Sequence, residues 1–163
     1  MTSQIKDSTR AARLALTPAR AGDAVHAGPV FVSTFHSPGD PVATEYSYGR
    51  SHQPTWTALE RAIGELEVDA GNEPAGVRVF ASGLSAVAAA FGAVLRAGEH
   101  VVVQAGCYFG VKQLLQELLA PSGVSVRIAS GEELASPKTL AGARMVWLET
   151  PGNPELDIAD VRA

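Results

Sequence analysis

Cysteine is almost absent. Cys107 stands alone, which excludes an intrachain disulfide framework and any cysteine-based zinc site, so no metal is expected. Lysine is nearly as scarce, at Lys6, Lys112 and Lys138 only. Excess positive charge is missing as well. The net charge of −4 leaves no electrostatic case for nucleic acid or an anionic membrane as partner. No apolar run reaches bilayer-spanning length, and the opening MTSQIKDSTR lacks an apolar signal core. Arg10, Arg13 and Arg20 would suit a transit peptide, whereas Asp7 and Asp23 would not, so a cytoplasmic setting is the default expectation. Internal repeats and low-complexity tracts are absent too.

What is present suits a globular core. Hydrophobic residues make up 46% and charged residues 18%, a balance that argues against disorder. Residues 1–22 suit a short amphipathic helix. Residues 23–54, rich in Gly, Pro, Ser and His, read as an irregular arm too long for a plain connection. Helical periodicity returns in TWTALERAIGELE, where Thr57 and Glu60 fit a capping box. Leu59, Ala62, Ile63 and Leu66 there share one face.

From Val77 onward, strand-like and helix-like segments alternate. Strands are expected at 77–81, 100–104, 124–128 and 144–149, and helices at 84–95 and 109–120. A weaker helical stretch covers 131–141, and another helix begins at 157. Apolar strands alternating with helices predict an α/β fold, a mainly parallel sheet covered by helices.

Three strand ends carry unusual residues, and in parallel α/β sheets such ends gather ligands. In VFASGLSAVAAAF, small residues separate a strand-like half from a helix-like half. The N–H groups at Ser82–Gly83–Leu84 open a helix, a geometry suited to phosphate. Taken alone, the same residues better suit an ordinary strand–helix turn with Ser82 as N-cap. At GCYFG, Tyr108 stands at a helix start where its ring could stack on a planar ligand, while Cys107 reads as a buried, inert thiol. At ETPGNP, Asn153 offers an amide in a loop stiffened by two prolines. In the arm, YSYGRSHQPTW places Tyr48 and Arg50 without apolar partners, and Arg50 suits phosphate. A dinucleotide fold is excluded because ASGLSA lacks the G-x-G-x-x-G spacing.

In order along the chain, YSYGRSHQPT, GELE, ASGLSAV, GEHVVV, CYFG and VWLETPGNP resemble the Cys/Met-metabolism family of pyridoxal-phosphate enzymes. That family includes the cystathionine gamma-lyases, cystathionine gamma-synthases and methionine gamma-lyases. DAVHAGPVFVSTFHSPGDP resembles the family's N-terminal arm, so the resemblance covers residues 23–163. It implies a fold type I, aspartate-aminotransferase-like large domain, incomplete here. Residues 1–54 would form an N-terminal helix and arm touching a neighbouring subunit, and 55–163 the first part of the cofactor-binding domain.

The resemblance also implies a site. Gly83 and Leu84 would hold the phosphate of pyridoxal 5'-phosphate, supported by Ser82. Tyr108 would stack on the pyridine ring and is the catalytic candidate. Asn153 would bond the ring's phenolic oxygen, with Glu149 supporting the loop. Tyr48 and Arg50 would reach the phosphate in a neighbour's site, implying a homo-oligomer acting on a sulfur-containing amino acid. His52-Gln53-Pro54-Thr55 departs from the family's Gly-Asn-Pro-Thr, and Phe109 replaces a common glycine.

The family's chains are much longer, and its Schiff-base lysine is expected to lie beyond residue 163, as is the aspartate facing the pyridine nitrogen. The reading is therefore an N-terminal fragment of a transsulfuration enzyme, inactive alone. The alternative is a truncated, non-catalytic protein that oligomerises with or decoys full-length relatives. The family's strand order further implies that 124–128, 100–104 and 144–149 are neighbours, with 77–81 left unpaired and Met145–Leu148 forming an apolar edge prone to aggregation.

Overall fold

The computed structural model describes residues 11, 20–22, 24, 28–37, 39–40, 43–68, 73 and 76–161. The chain divides into two compact units, Met1–Val79 and Phe80–Ala163. The boundary expected at 54/55 falls inside the first of these. The helix expected over residues 1–22 lies almost wholly outside the described residues.

In the first unit the arm folds back on itself. Thr34 and Tyr48 form an isolated antiparallel bridge, and Gly49 N–H donates to the Ser33 carbonyl at 2.7 Å. A Cβ on Gly49 would lie 3.0 Å from Ser33 Cα, so glycine permits the approach. The rings of Phe35 and Tyr46 meet at 5.6 Å.

Helix α1 (Pro54–Leu66) follows, and it corrects the expected capping box. Pro54, with no N–H to orphan and φ preset, starts the helix three residues before Thr57. Gln53 caps it, its side chain accepting from Thr55 N–H at 2.8 Å. Glu60 instead accepts from Val79 N–H at 3.0 Å and lies 3.4 Å from Arg78 Nη1. The expected apolar face exists. Leu59, Ala62, Ile63 and Leu66 line a cavity of about 470 Å³ with Val30 and Pro54.

The second unit runs α2 (Gly83–Val94), β1 (His100–Gln104), α3 (Phe109–Leu114), β2 (Ser125–Ala129), α4 (Gly131–Leu134), α5 (Pro137–Leu140) and β3 (Met145–Trp147). Helix α3 runs on as a π-helical turn over Leu115–Leu119, so the helix expected at 109–120 changes pitch midway. Gly123, at φ +94°, then turns the chain into β2, the positive-φ conformation that favours glycine. The weak helical stretch resolves into the short helices α4 and α5, the first opened by a Ser130–Glu133 capping box.

The three strands are parallel in the order β2–β1–β3, with Val101 opposite both Val126 and Met145. This is the neighbour relation the family's sheet implies. Central β1 is buried throughout its valines: Val101, Val102 and Val103 have no solvent exposure. Val101 and Val103 pack with Phe91 of α2, Leu95 just past its end, Val111 of α3, and Leu115. On the other face Arg127 and Val146 flank Val102, and both are exposed.

Three expectations need correction. Val77–Phe80 is unpaired, as the family's strand order implies, and without a neighbour it forms no strand; Glu60 takes the Val79 N–H instead. The 144–149 strand shortens to three residues, since Glu149 turns its N–H to a side chain rather than a ladder. No helix forms over Asp157–Val161, where the chain bonds back to the preceding loop; residues 162–163 lie outside the described set.

Candidate functional site

The strand order fixes where a ligand can enter. The chain leaves β1 for β2 on one side, then returns to place β3 on the other. In open parallel sheets, such a reversal opens a crevice at the carboxyl ends of the two strands involved, here β1 and β3. The loops that follow these strands carry Tyr108 and Asn153.

Backbone and side chains lace the two loops together. Asn153 N–H donates to the Gly106 carbonyl at 2.8 Å, and Tyr108 N–H donates to Glu149 Oε2 at 2.9 Å. Glu149 Oε1 accepts from Trp147 Nε1 at 2.9 Å. Glu149 N–H donates to Oε1 of buried Gln104 at 2.8 Å. Gly152 lies so close that a Cβ on it would be 2.9 Å from the Gly106 carbonyl.

Tyr108 caps α3 and keeps 39% of its surface exposed. Its ring lies over Gly110, where a Cβ would come within 2.6 Å of Tyr108 Cε1. The amide of Asn153 is exposed in the facing loop. Leu84 at the start of α2 lines a cavity of about 450 Å³ with Gly110, Leu114 and Leu118, which brings the first corner next to the seat of Tyr108.

That corner has the expected cap. Ser82 Oγ accepts from Ser85 N–H at 3.1 Å, and Ala86 N–H makes the first bond back to the Ser82 carbonyl. The N–H groups of Gly83 and Leu84 stand ahead of the helical ladder. Open space lies where a Gly83 Cβ would be, so the backbone there is approachable.

Cys107 is fully buried and its thiol is pushed up, first by burial, then by the negative charge of Glu149, with Lys112 acting in the opposite sense. Burial and the raised pKa both disfavour the thiolate form that nucleophilic attack requires. Lys112 donates Nζ to the Ala105 carbonyl at 3.0 Å. In the first unit, Arg50 Cζ lies 4.9 Å above the Tyr48 ring, a cation–π pair, and Tyr48 is 41% exposed.

Residues 11–163 match the sequence profile described as Cys/Met metabolism PLP-dependent enzyme. The chain belongs to this family. A Streptomyces coelicolor protein with the provisional name cystathionine gamma-lyase is 43% identical over 158 residues, 96% of this chain and 39% of that protein. The cystathionine gamma-synthase of Mycobacterium bovis is 34% identical over 160 residues, again 96% of this chain and 40% of the relative. A crystal structure of the cystathionine gamma-synthase from Xanthomonas oryzae pv. oryzae, in complex with aminoacrylate and cysteine, superimposes with a TM-score of 0.79. It is 30% identical and covers 97% of this chain and 40% of the other. The chain thus spans about two fifths of the length of the curated relatives it matches.

The residues present fit the family's cofactor chemically. Free N–H groups at a helix start suit a phosphate, a half-exposed phenol suits a flat ring, and an exposed amide suits a phenolic oxygen. Gln104, Trp147 and Gly110 escaped the sequence reading. Their signals were a polar residue closing the buried run HVVVQ, an indole two residues before a carboxylate, and a glycine just past the tyrosine.

Proposed function

We propose that this chain supplies the phosphate corner and ring-contacting residues of a pyridoxal-phosphate site in a transsulfuration enzyme. The reaction class is carbon–sulfur cleavage or gamma-replacement on a sulfur amino acid. The observation that carries this reading is the β1/β3 reversal, whose two tied loops carry Tyr108 and Asn153, while Leu84 of α2 shares a cavity with Gly110 two residues beyond Tyr108. Gly83 and Leu84 donate their N–H groups to the phosphate, and the Ser82 cap keeps those groups aligned. Tyr108 lays its ring on the pyridine, and Asn153 donates its amide to the phenolic oxygen. Glu149 holds both loops. The cofactor, when bound, provides the electron sink for a carbon that loses its proton.

Of the described lysines, Lys112 is committed to a carbonyl and Lys138 sits exposed on α5, so neither has the apolar or cation-adjacent setting that activates an amine. Lys6 lies outside the described residues. The 163 residues by themselves are proposed not to turn over cystathionine. Binding is the direct test. Pyridoxal phosphate and inorganic phosphate should both shift the backbone amide resonances of Gly83 and Leu84, while unphosphorylated pyridoxal should move the Tyr108 ring and Asn153 side-chain amide signals and leave Gly83 and Leu84 in place. Phosphate that leaves Gly83 and Leu84 unmoved would sink the assignment.

Tyr48 and Arg50 are proposed to reach the phosphate of a neighbouring subunit in a homo-oligomer, a role that suits their exposed stacked pair. If so, an Arg50→Ala chain exchanged into assemblies with a Gly83→Val chain regains phosphate binding. Each hybrid then keeps one site with neither defect. No recovery despite proven exchange would return Arg50 to its own chain.

A further inference from the structure

Two side chains between the loops do something that packing alone does not require. Gln104 is 5% exposed, yet its Oε1 is spent on one backbone N–H, that of Glu149, at 2.8 Å and 45 residues away. Glu149 in turn spends one carboxylate oxygen on the Tyr108 N–H, 41 residues away, and the other on the Trp147 indole. Both oxygens of the carboxylate are therefore occupied by donors, and neither donor is a cation. The third tie, Asn153 N–H to the Gly106 carbonyl, lies on the same two loops.

We propose that Gln104 and Glu149 form a reciprocal latch that sets the separation of Tyr108 and Asn153, making both of them positioning residues. The latch itself rests only on these contacts. That it holds the two side chains toward pyridoxal phosphate rests on the function proposed above.

Carboxylate chemistry makes the latch selective. A carboxylate accepts at both oxygens, whereas a carboxamide accepts at one and donates at the other. Glu149→Gln keeps size and shape but leaves two N–H donors competing for one oxygen. Whichever loses faces an NH2 group. Removing the indole N–H should end that competition, so Glu149→Gln combined with Trp147→Phe lets the remaining oxygen serve Tyr108.

The test is amide exchange in the whole chain, read at Tyr108 and Asn153, with the central Val102 as a reporter of global opening. Glu149→Gln should speed exchange at Tyr108 by about tenfold or more, as expected for loss of a hydrogen bond to a charged acceptor. Val102 should be unchanged, and the double variant should recover most of the protection. Equal acceleration at Tyr108 and Val102, no acceleration at all, or a double variant as fast as the single one would each overturn the latch. A pyridoxal phosphate titration of the same proteins separates the two ideas. Protection that follows this cycle while the cofactor moves no amide leaves the latch standing and removes the cofactor reading. Amides that respond to cofactor without following the cycle do the reverse.

Discussion

Replacing Phe91 by alanine is expected to cost the second unit about 3–5 kcal/mol, the range for emptying a buried aromatic site. Phe91 has no solvent exposure and is the one buried residue of α2 among those described. Its ring meets Trp147 edge-on at 4.9 Å, and it packs in one cluster with Val101, Val103 and Leu115. Phe91 is therefore the main anchor of α2, with half-buried Val87 beside it and buried Leu95 just past its end. Domains are commonly stable by only about 5–15 kcal/mol, so this loss is a large share of the whole. The urea midpoint should fall steeply, and Trp147 emission should shift to longer wavelength as water reaches the vacated space. Trp56, the other indole, is best replaced first so that Trp147 reports alone. A loss below about 1 kcal/mol, the level of an average substitution, would mean that α2 is held by something other than Phe91.

The second large effect concerns Tyr108. Changed to alanine in protein loaded with pyridoxal phosphate, it is expected to speed cofactor loss on dialysis by roughly fivefold to a hundredfold. The scale is taken from base–aromatic stacking, worth ~1–3 kcal/mol per ring. The backbone N–H that Glu149 accepts is untouched by this change, so the loops stay tied and the fold should report almost nothing. Tyr108→Phe divides the effect. It keeps the ring and removes the hydroxyl, so retention near the parent's level assigns the loss to stacking. Alanine and parent proteins that release cofactor at the same rate would count against placing the ring on the ligand.

How far the sequence could be read depended on the range of the forces involved. The helices and strands between Gly83 and Trp147 were legible because their signals are local: an apolar run, a serine cap, a glycine break. The helix expected from Asp157 was not, because the chain there bonds back to the preceding loop. The start of α1 was misjudged because two local signals competed. Thr57 with Glu60 fits a capping box, but Pro54 suits a first turn better, and Glu60 was claimed by Val79 from outside the helix. The 77–81 strand failed for the opposite reason. Val77, Val79 and Phe80 have the composition of a strand, but a strand also needs a neighbour, and composition does not carry one. At the candidate site, Tyr108, Asn153 and the Ser82–Leu84 corner stood out as residue types in revealing places. Glu149 entered through the resemblance as a support of its loop, but Gln104 and the partners both residues take did not stand out, since both contacts span more than forty residues.

The strand order also has a consequence in time. Pairing of β1 with β2 closes a short stretch of chain, with His100 and Ser125 only 25 residues apart. Pairing of β1 with β3 closes a longer one, and the entropy of closure grows with the length enclosed. On a chain made from its N-terminus, β1, α3 and β2 emerge and can pack before β3 exists. Until Glu149 arrives, the Tyr108 N–H and the Gln104 side chain have no partners there. The crevice thus forms only when β3 joins β1, and a nascent chain interrupted before Glu149 would hold β1, α3 and β2 without the ties between the Tyr108 and Asn153 loops.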